Sequence, residues 1–168
     1  MIIREAYIDE LAFIRKQRVA AYAEHANSVN KDHWLVLKRA VSSEADMTSG
    51  AKILVAVINE KIVGSVVLYP PHSDAYEGEV EALDYPEIRM LAVATEARGK
   101  GIASSLIKEC IARAKENGHA YIGLHTGSFM TGAMRLYESF GFERLPQYDF
   151  EPANDGIIVR AYRLNLNR

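Results

Sequence analysis

Apolar positions along the chain change period several times, and each change marks an element. Residues 2–6 give a short apolar start suited to an edge strand, and Asp9 then precedes a helix-like stretch reaching about His25. A second helical stretch is predicted over residues 32–41, where Trp34, Leu37 and Val41 share one face and Lys31, Lys38 and Arg39 turn to solvent. Trp34 reads as a core residue there. The polar stretch 42–50 ends in Gly50 and reads as a loop. Residues 53–58 then form a buried strand, Asn59, Glu60 and Lys61 a turn, and residues 62–69 a strand rich in β-branched side chains. Together they predict an antiparallel hairpin that Pro70 and Pro71 stop. Residues 72–87 carry Asp74, Glu77, Glu79, Glu81, Asp84 and Glu87 without one Lys or Arg, and read as a long acidic loop.

The second half is more regular. Residues 88–93 form a third internal strand and residues 95–101 a turn. Ile102, Ala103, Leu106, Ile107, Cys110, Ile111 and Ala114 then recur at helical spacing, with Lys108, Glu109, Arg113, Lys115 and Glu116 outside them. Asn117 and Gly118 end this helix, which takes Cys110 into the core. Residues 121–126 read as a strand, and Ala133, Leu136, Tyr137 and Phe140 as a short helix stopped by Gly141. Residues 142–145 and 157–166 read as two strands around a polar loop containing Pro146 and Pro152. The order βααβββαβαββ is mixed, antiparallel at first and then a βαβ unit whose strands run parallel.

Composition narrows the class. At 168 residues, 49% hydrophobic and 25% charged, the sequence fits one globular domain over residues 1–168. Its formal net charge of -2 lacks the basic excess expected of a nucleic-acid binder. The longest apolar run is too short to span a bilayer, and the first residues lack the plan of a signal peptide, so a soluble, cytoplasmic protein without membrane contact is expected. One cysteine excludes an internal disulfide, and five histidines without paired spacing give no metal site.

The most informative segment is Arg98, Gly99, Lys100, Gly101, Ile102 and Ala103, between a buried strand and an amphipathic helix. The first turn of a helix has backbone N–H groups without partners, and no Ser, Thr, Asp or Asn stands just before Gly99 to cap them. Two glycines let backbone approach a bulky anion, and Arg98 and Lys100 add positive charge, which suits a phosphate or pyrophosphate. A plain turn capped by water remains the alternative. A P-loop is a poor match because Gly101 follows Lys100, and so is a dinucleotide fingerprint because Ser104 stands where its last glycine is required.

The segment instead resembles motif A of the Gcn5-related N-acetyltransferases, the GNAT superfamily, whose pattern [QR]-x-x-G-x-[GA] is matched by Arg98, Gly101 and Ala103. Residues 88–93 look like that family's fourth strand. Residues 131–142, TGAMRLYESFGF, resemble its motif B, and Leu124, His125 and Thr126 resemble the strand ahead of it. The opening Ile3, Arg4, Glu5 and Ala6 is similar to small bacterial members. Met130 stands where many members have an asparagine, so that contact to the cofactor is not carried over.

The resemblance implies an α/β GNAT fold: a mixed sheet of six to seven strands with an antiparallel N-terminal part, a central βαβ cofactor unit and about four helices. It implies acetyl-CoA as co-substrate, no metal, and transfer of the acetyl group to a primary amine by direct attack. The backbone of Leu91, Ala92 and Val93 would hold the pantetheine arm, and the N–H groups of Arg98, Gly99, Lys100, Gly101, Ile102 and Ala103 the pyrophosphate. Backbone near Leu91 would also polarise the thioester carbonyl. Tyr137 matches the tyrosine that gives a proton to the departing thiolate, against a reading as an ordinary core tyrosine. Glu87, at the start of the cofactor strand, looks like the base of the histone-acetylating branch, with His125 or a water chain as alternatives. The acidic run would draw a cationic amine, and Tyr76, Tyr85, Tyr148 and Phe150 would line the acceptor pocket. A small-molecule amine is the expected acceptor. A peptide or protein acceptor and a non-catalytic acyl-CoA-binding module are the alternatives, and a homodimer is left open.

Overall fold

A computed structural model of the chain describes residues 1–73 and 82–167. In chain order the elements are β1 (Ile2–Glu5), α1 (Leu11–Tyr22), α2 (Lys31–Ser42), β2 (Lys52–Ile58), β3 (Lys61–Tyr69), β4 (Glu87–Val93), α3 (Ile102–Glu116), β5 (Tyr121–Gly127), α4 (Thr131–Ser139), β6 (Glu143–Arg144) and β7 (Val159–Asn165). Short 3-10 turns link them. This is the order that the periodicity predicts, with most boundaries within two residues. Asp9 does not cap the first helix but lies inside the 3-10 turn Ile8–Glu10, where the Glu10 carboxylate accepts the N–H of Tyr7 at 2.7 Å.

The seven strands form one sheet in the order β1-β2-β3-β4-β5-β7-β6. Neighbours are antiparallel except β4 and β5, which run parallel as the βαβ connection through α3 requires. Continuous apolar runs reflect burial on both faces. Leu54 and Ala56 of β2 pack with Val66 and Leu68 against Ile102, Leu106, Ile107, Cys110 and Ala114 of α3. The alternate residues Ile53 and Val55 join Val67, Tyr69 and Met90 against Ile14 of α1. Cys110 is fully buried, and burial pushes its thiol up to about 12, so it is a packing residue. Trp34 is only half-buried and belongs to neither core; its neighbour His33 is buried instead. The cause is a pair of local anchors, since Asn30 caps α2 by accepting the His33 N–H at 2.8 Å, and the His33 ring meets the Asp155 carboxylate at 3.0 Å.

Two departures from regularity shape the middle of the sheet. Opposite β3, Ser65 faces Ala92 and Val67 faces Arg89, so Met90 and Leu91 together face the single residue Val66. This is a β-bulge, and Met90 takes φ 58°, a conformation that few residues with side chains adopt. The bulge reverses the alternation: Ile88 packs on the α3 side, Met90 on the α1 side, and Leu91 and Val93 return to the α3 side. The second departure is the segment after α2. Residues 42–50, expected as a loop, contain the 3-10 turn Glu44–Met47, whose Asp46 is completely buried. Arg15 Nη2 and Arg18 Nη1 each reach Asp46 at 2.7 Å, tying α1 to this turn.

Burial alone would raise the Asp46 carboxyl, but hydrogen bonds from Arg15 and Arg18 hold it below its ordinary range. Its ionised form therefore stabilises the fold above the ordinary aspartate range, and that contribution is lost as pH falls through the lowered value. Asp46→Asn leaves Arg18 buried without its counter-charge and is expected to cost about 3–5 kcal/mol at neutral pH. Urea unfolding of both proteins at neutral and strongly acidic pH should show this gap shrinking with acid; equal stability at neutral pH would refute the account.

Candidate active site

The site begins where the sheet opens. Pairing of β4 with β5 is confined to Glu87 with Gly123 and Ile88 with Leu124, after which the strands diverge. Past Ile88 the edge of β4 facing β5 therefore carries backbone groups outside that ladder. The bulge at Met90 and Leu91 lies on this freed stretch, and Leu91, Ala92 and Val93 follow it along the wall of a cavity of about 1030 Å³.

The far end of β4 leads through the 3-10 turn Thr95–Ala97 into the glycine segment. Gly99 and Gly101 adopt φ 79° and 75°, and a Cβ added at either would meet nothing within 4 Å. Crowding by the protein is therefore not what requires glycine there; the left-handed backbone is. Gly101 is the N-cap of α3 and offers no side-chain acceptor, so no cap side chain answers the first amides of that helix, an arrangement that suits an anion. Gly99, Gly101, Ile102 and Ala103 line the cavity, whereas Lys100 is exposed just outside it. The Arg98 side chain is engaged elsewhere. It pairs with Glu24 and donates to the Ala21 carbonyl at 3.3 Å, so its charge fastens the glycine turn to the end of α1.

Tyr137 stands on the cavity wall beside Leu136 and Ala133 of α4. It is 6% exposed, its ring is edge-on to Phe142 at 5.9 Å, and no described residue is hydrogen-bonded to its hydroxyl. Burial, with Tyr22 and Cys110 nearby, pushes its ionisation well above the ordinary tyrosine range, so the phenol keeps its proton at neutral pH. Tyr22, at the end of α1, is a second phenol on the same cavity; burial raises it to about 12 against the opposing effect of Arg18 and Arg89. Nothing in its sequence context distinguishes it, because its place depends on how α1 crosses the sheet.

Glu87 and His125 come together at the closed end of the split. The Glu87 carboxylate lies 2.9 Å from His125 Nδ1, and His125 Nε2 lies 3.0 Å from the Tyr148 carbonyl. A carbonyl only accepts, so Nε2 carries a proton, and the remaining contact needs one further proton shared between Nδ1 and the carboxylate. His125 lines the cavity, with Phe150 at 5.5 Å from its ring, and both partners are buried, the His125 side chain 1% and the Glu87 side chain 8% exposed. The acid and the histidine, separate candidates in the sequence, form one unit.

The opposite wall comes from α1, α2 and the segment before β7. His25, His33 and Phe129 stack edge to face, with ring centres 5.4 and 5.6 Å apart across Phe129. Asp155 joins Asn30 at 2.8 Å and His33 at 3.0 Å, holding residues 150–155 against α2. Of the aromatic residues expected at the acceptor pocket, Phe150 lines the cavity, Tyr85 is buried against Tyr121, and Tyr148 contributes its carbonyl. Tyr76 and the acids Asp74, Glu77, Glu79 and Glu81 lie outside the described residues. Among the described residues no helix is long and apolar enough to cross a membrane.

Comparison with known proteins agrees with this geometry. A Staphylococcus aureus acetyltransferase of the GNAT family superposes over 98% of both chains with a TM-score of 0.71 at 19% identity. A putative acetyltransferase from Salmonella typhimurium, solved with its cofactor acetyl-CoA, gives a TM-score of 0.65 at 21% identity over 100% of this chain and 95% of its own. At such identity these likenesses establish the fold. Human N-acetyltransferase 8B is 32% identical over 101 residues, 60% of this chain and 42% of the human protein, so the match spans less than half of that relative's length. Residues 10–142 match the model of the acetyltransferase (GNAT) family, most of the sequence from α1 to the end of α4, and the chain belongs to that family.

Proposed function

We propose that the protein is an N-acetyltransferase that moves the acetyl group of acetyl-CoA to the primary amine of a small molecule by direct attack. The observation that carries this reading is the parting of β4 from β5 beside the uncapped start of α3. It offers backbone groups for an amide-bearing arm and backbone N–H groups for a pyrophosphate within one cavity. Leu91, Ala92 and Val93 hold the arm, and the amides of Arg98, Gly99, Lys100, Gly101, Ile102 and Ala103 hold the phosphates. Acetyl-CoA supplies an activated thioester. Backbone N–H at the bulge stabilises charge developing on an acyl oxygen, because it is fixed in place before reaction.

Two protons have to move. Tyr137 keeps its phenolic proton at neutral pH and lies on the donor wall, which supports its role as acid toward the departing thiolate. The Glu87 and His125 pair faces the acceptor side and takes the amine proton through water in the form that lacks the shared proton, the incoming proton then lying between Nδ1 and the Glu87 carboxylate while Nε2 stays bonded to the Tyr148 carbonyl. The bonds from Asp155 to α2 favour a walled pocket, and hence a small acceptor over a polypeptide.

Calorimetric titration with acetyl-CoA should show micromolar binding, weakened about tenfold or more in Gly101→Glu, whose carboxylate would sit at the helix start. Failure to bind would end the acetyltransferase reading. Binding without turnover over a broad amine panel would favour a non-catalytic module. Tyr137→Phe should lower kcat by about 100-fold while leaving acetyl-CoA affinity within about twofold; unchanged turnover removes it as the acid. Nitrogen-15 spectra of the histidines should show His125 protonated at Nε2, with Glu87→Gln shifting chiefly the Nδ1 signal. A His125 protonated only at Nδ1 would contradict the arrangement.

A further inference from the structure

Among the described residues three histidines line the cavity, His25, His33 and His125, and their ring nitrogens are not engaged alike. His125 has both nitrogens occupied, by the Glu87 carboxylate and the Tyr148 carbonyl. His25 Nε2 faces Glu24 at 3.3 Å. His33 is held at Nδ1 alone, 3.0 Å from Asp155 Oδ2, and no described residue is hydrogen-bonded to its Nε2.

The contact at Nδ1 decides where the His33 ring keeps its proton. Asp155 Oδ2 also accepts Asn30 Nδ2 at 2.8 Å, and Oδ1 accepts the Ile157 N–H at 3.0 Å. Against the upward push of desolvation, these bonds and His33 itself hold the Asp155 carboxyl below the ordinary aspartate range. It is ionised at neutral pH and only accepts, so Nδ1 carries hydrogen and the neutral ring keeps its lone pair at Nε2. This is the reverse of His125, whose Nε2 donates. The His33 side chain is 5% exposed and stands edge-on to Phe129, with ring centres 5.6 Å apart. Phe129 in turn lies over Gly127 of β5, where an added Cβ would come within 2.6 Å of its ring. Gly127 follows His125 by two residues, about 6.6 Å along the strand, so His33 lines the same stretch of cavity as the Glu87 and His125 pair.

An aliphatic primary amine ionises like a lysine side chain, so at neutral pH only about one molecule in 2,500 carries the free lone pair that attack requires. It arrives as an ammonium and loses two protons, one before attack and one as the C–N bond forms. We infer that His33 takes the first of them, its Nε2 lone pair accepting an N–H of the bound ammonium, with Asp155 as the positioning residue that keeps this lone pair available. The inference rests on the acetyltransferase reading, which gives the second proton to the Glu87 and His125 pair and a proton from Tyr137 to the thiolate. The protons balance. Two leave nitrogen and one reaches sulfur from Tyr137; one of the two then restores the phenol, and the other passes to solvent.

The test follows kcat/KM for an aliphatic amine from pH 7 to pH 9.5 in the full chain, in His33→Gln and in His33→Phe, which keeps a ring against Phe129. Both variants should be slower by about 100-fold at pH 7 while binding acetyl-CoA within about twofold of the parent. Their deficit should shrink by about tenfold per pH unit, because solution then supplies the neutral amine that His33 no longer makes. A merely structural role gives a deficit that does not change with pH. Nitrogen-15 spectra of the chain saturated with coenzyme A should show His33 protonated at Nδ1, and Asp155→Asn should weaken that preference and slow turnover in the same pH-dependent way. Unchanged turnover in the His33 variants, a pH-independent deficit, or a neutral His33 protonated at Nε2 overturns the inference while leaving the acetyltransferase reading in place. A parent that acetylates no amine overturns both, so the two failures are told apart.

Discussion

Everything at the site follows from the failure of β4 to stay paired with β5. Two parallel strands joined by a crossover helix normally continue their ladder, because an unpaired buried backbone group is expensive. Here the ladder stops after two residue pairs, and the bulge at Met90 and Leu91 coincides with the opening. The bulge sends Met90 into the α1 core, where it packs with Ile14 and Tyr69. That packing offsets the cost of a left-handed methionine, so the opening is held by the core rather than by whatever binds in it. A cleft built this way keeps its polar edge in position when empty, which limits the reorganisation that binding would otherwise demand.

Charge is arranged around this cleft in separate compartments. The start of α3 presents backbone N–H groups without a side-chain cap, and the neighbouring Arg98 is turned away to Glu24. The Glu87 and His125 pair closes the inner end with its protons shared internally. Arg89 and Tyr22 line the remaining wall, and Arg18 is buried behind it, close enough for both cations to act on the Tyr22 phenol. Each compartment is fixed by a different element pair, so a substitution in one leaves the geometry of the others largely intact.

Much of the fold was legible in the sequence because its signals are local. Periodicity alone gives the order of the four helices and seven strands, and the two glycines of the turn do adopt the backbone that only glycine takes freely. What escaped depends on residues far apart in the chain. Asp46 reads as a loop acid until α1 brings Arg15 and Arg18 onto it. Trp34 yields the buried position on α2 to His33 because Asp155 waits 122 residues away. The bulge has no sequence signature at Met90, a residue with no preference for positive φ. Arg98 matches its motif, yet the direction of its side chain is set by Glu24 on another element. Likewise, Glu87 and His125 could be weighed as separate candidates, but their coupling appears only when β4 and β5 lie side by side.

The bonds from Asp155 to Asn30 and His33 span more than 120 residues of chain. During synthesis the glycine turn and its helix are complete while this contact is still missing, because residue 155 follows every strand except β7. The half of the cleft beside the glycine turn can therefore form from nearby segments, whereas the half beside α2 must await a closure of high contact order, with the large loop entropy that implies. The two halves of one cleft are completed by parts of the molecule that mature at different times.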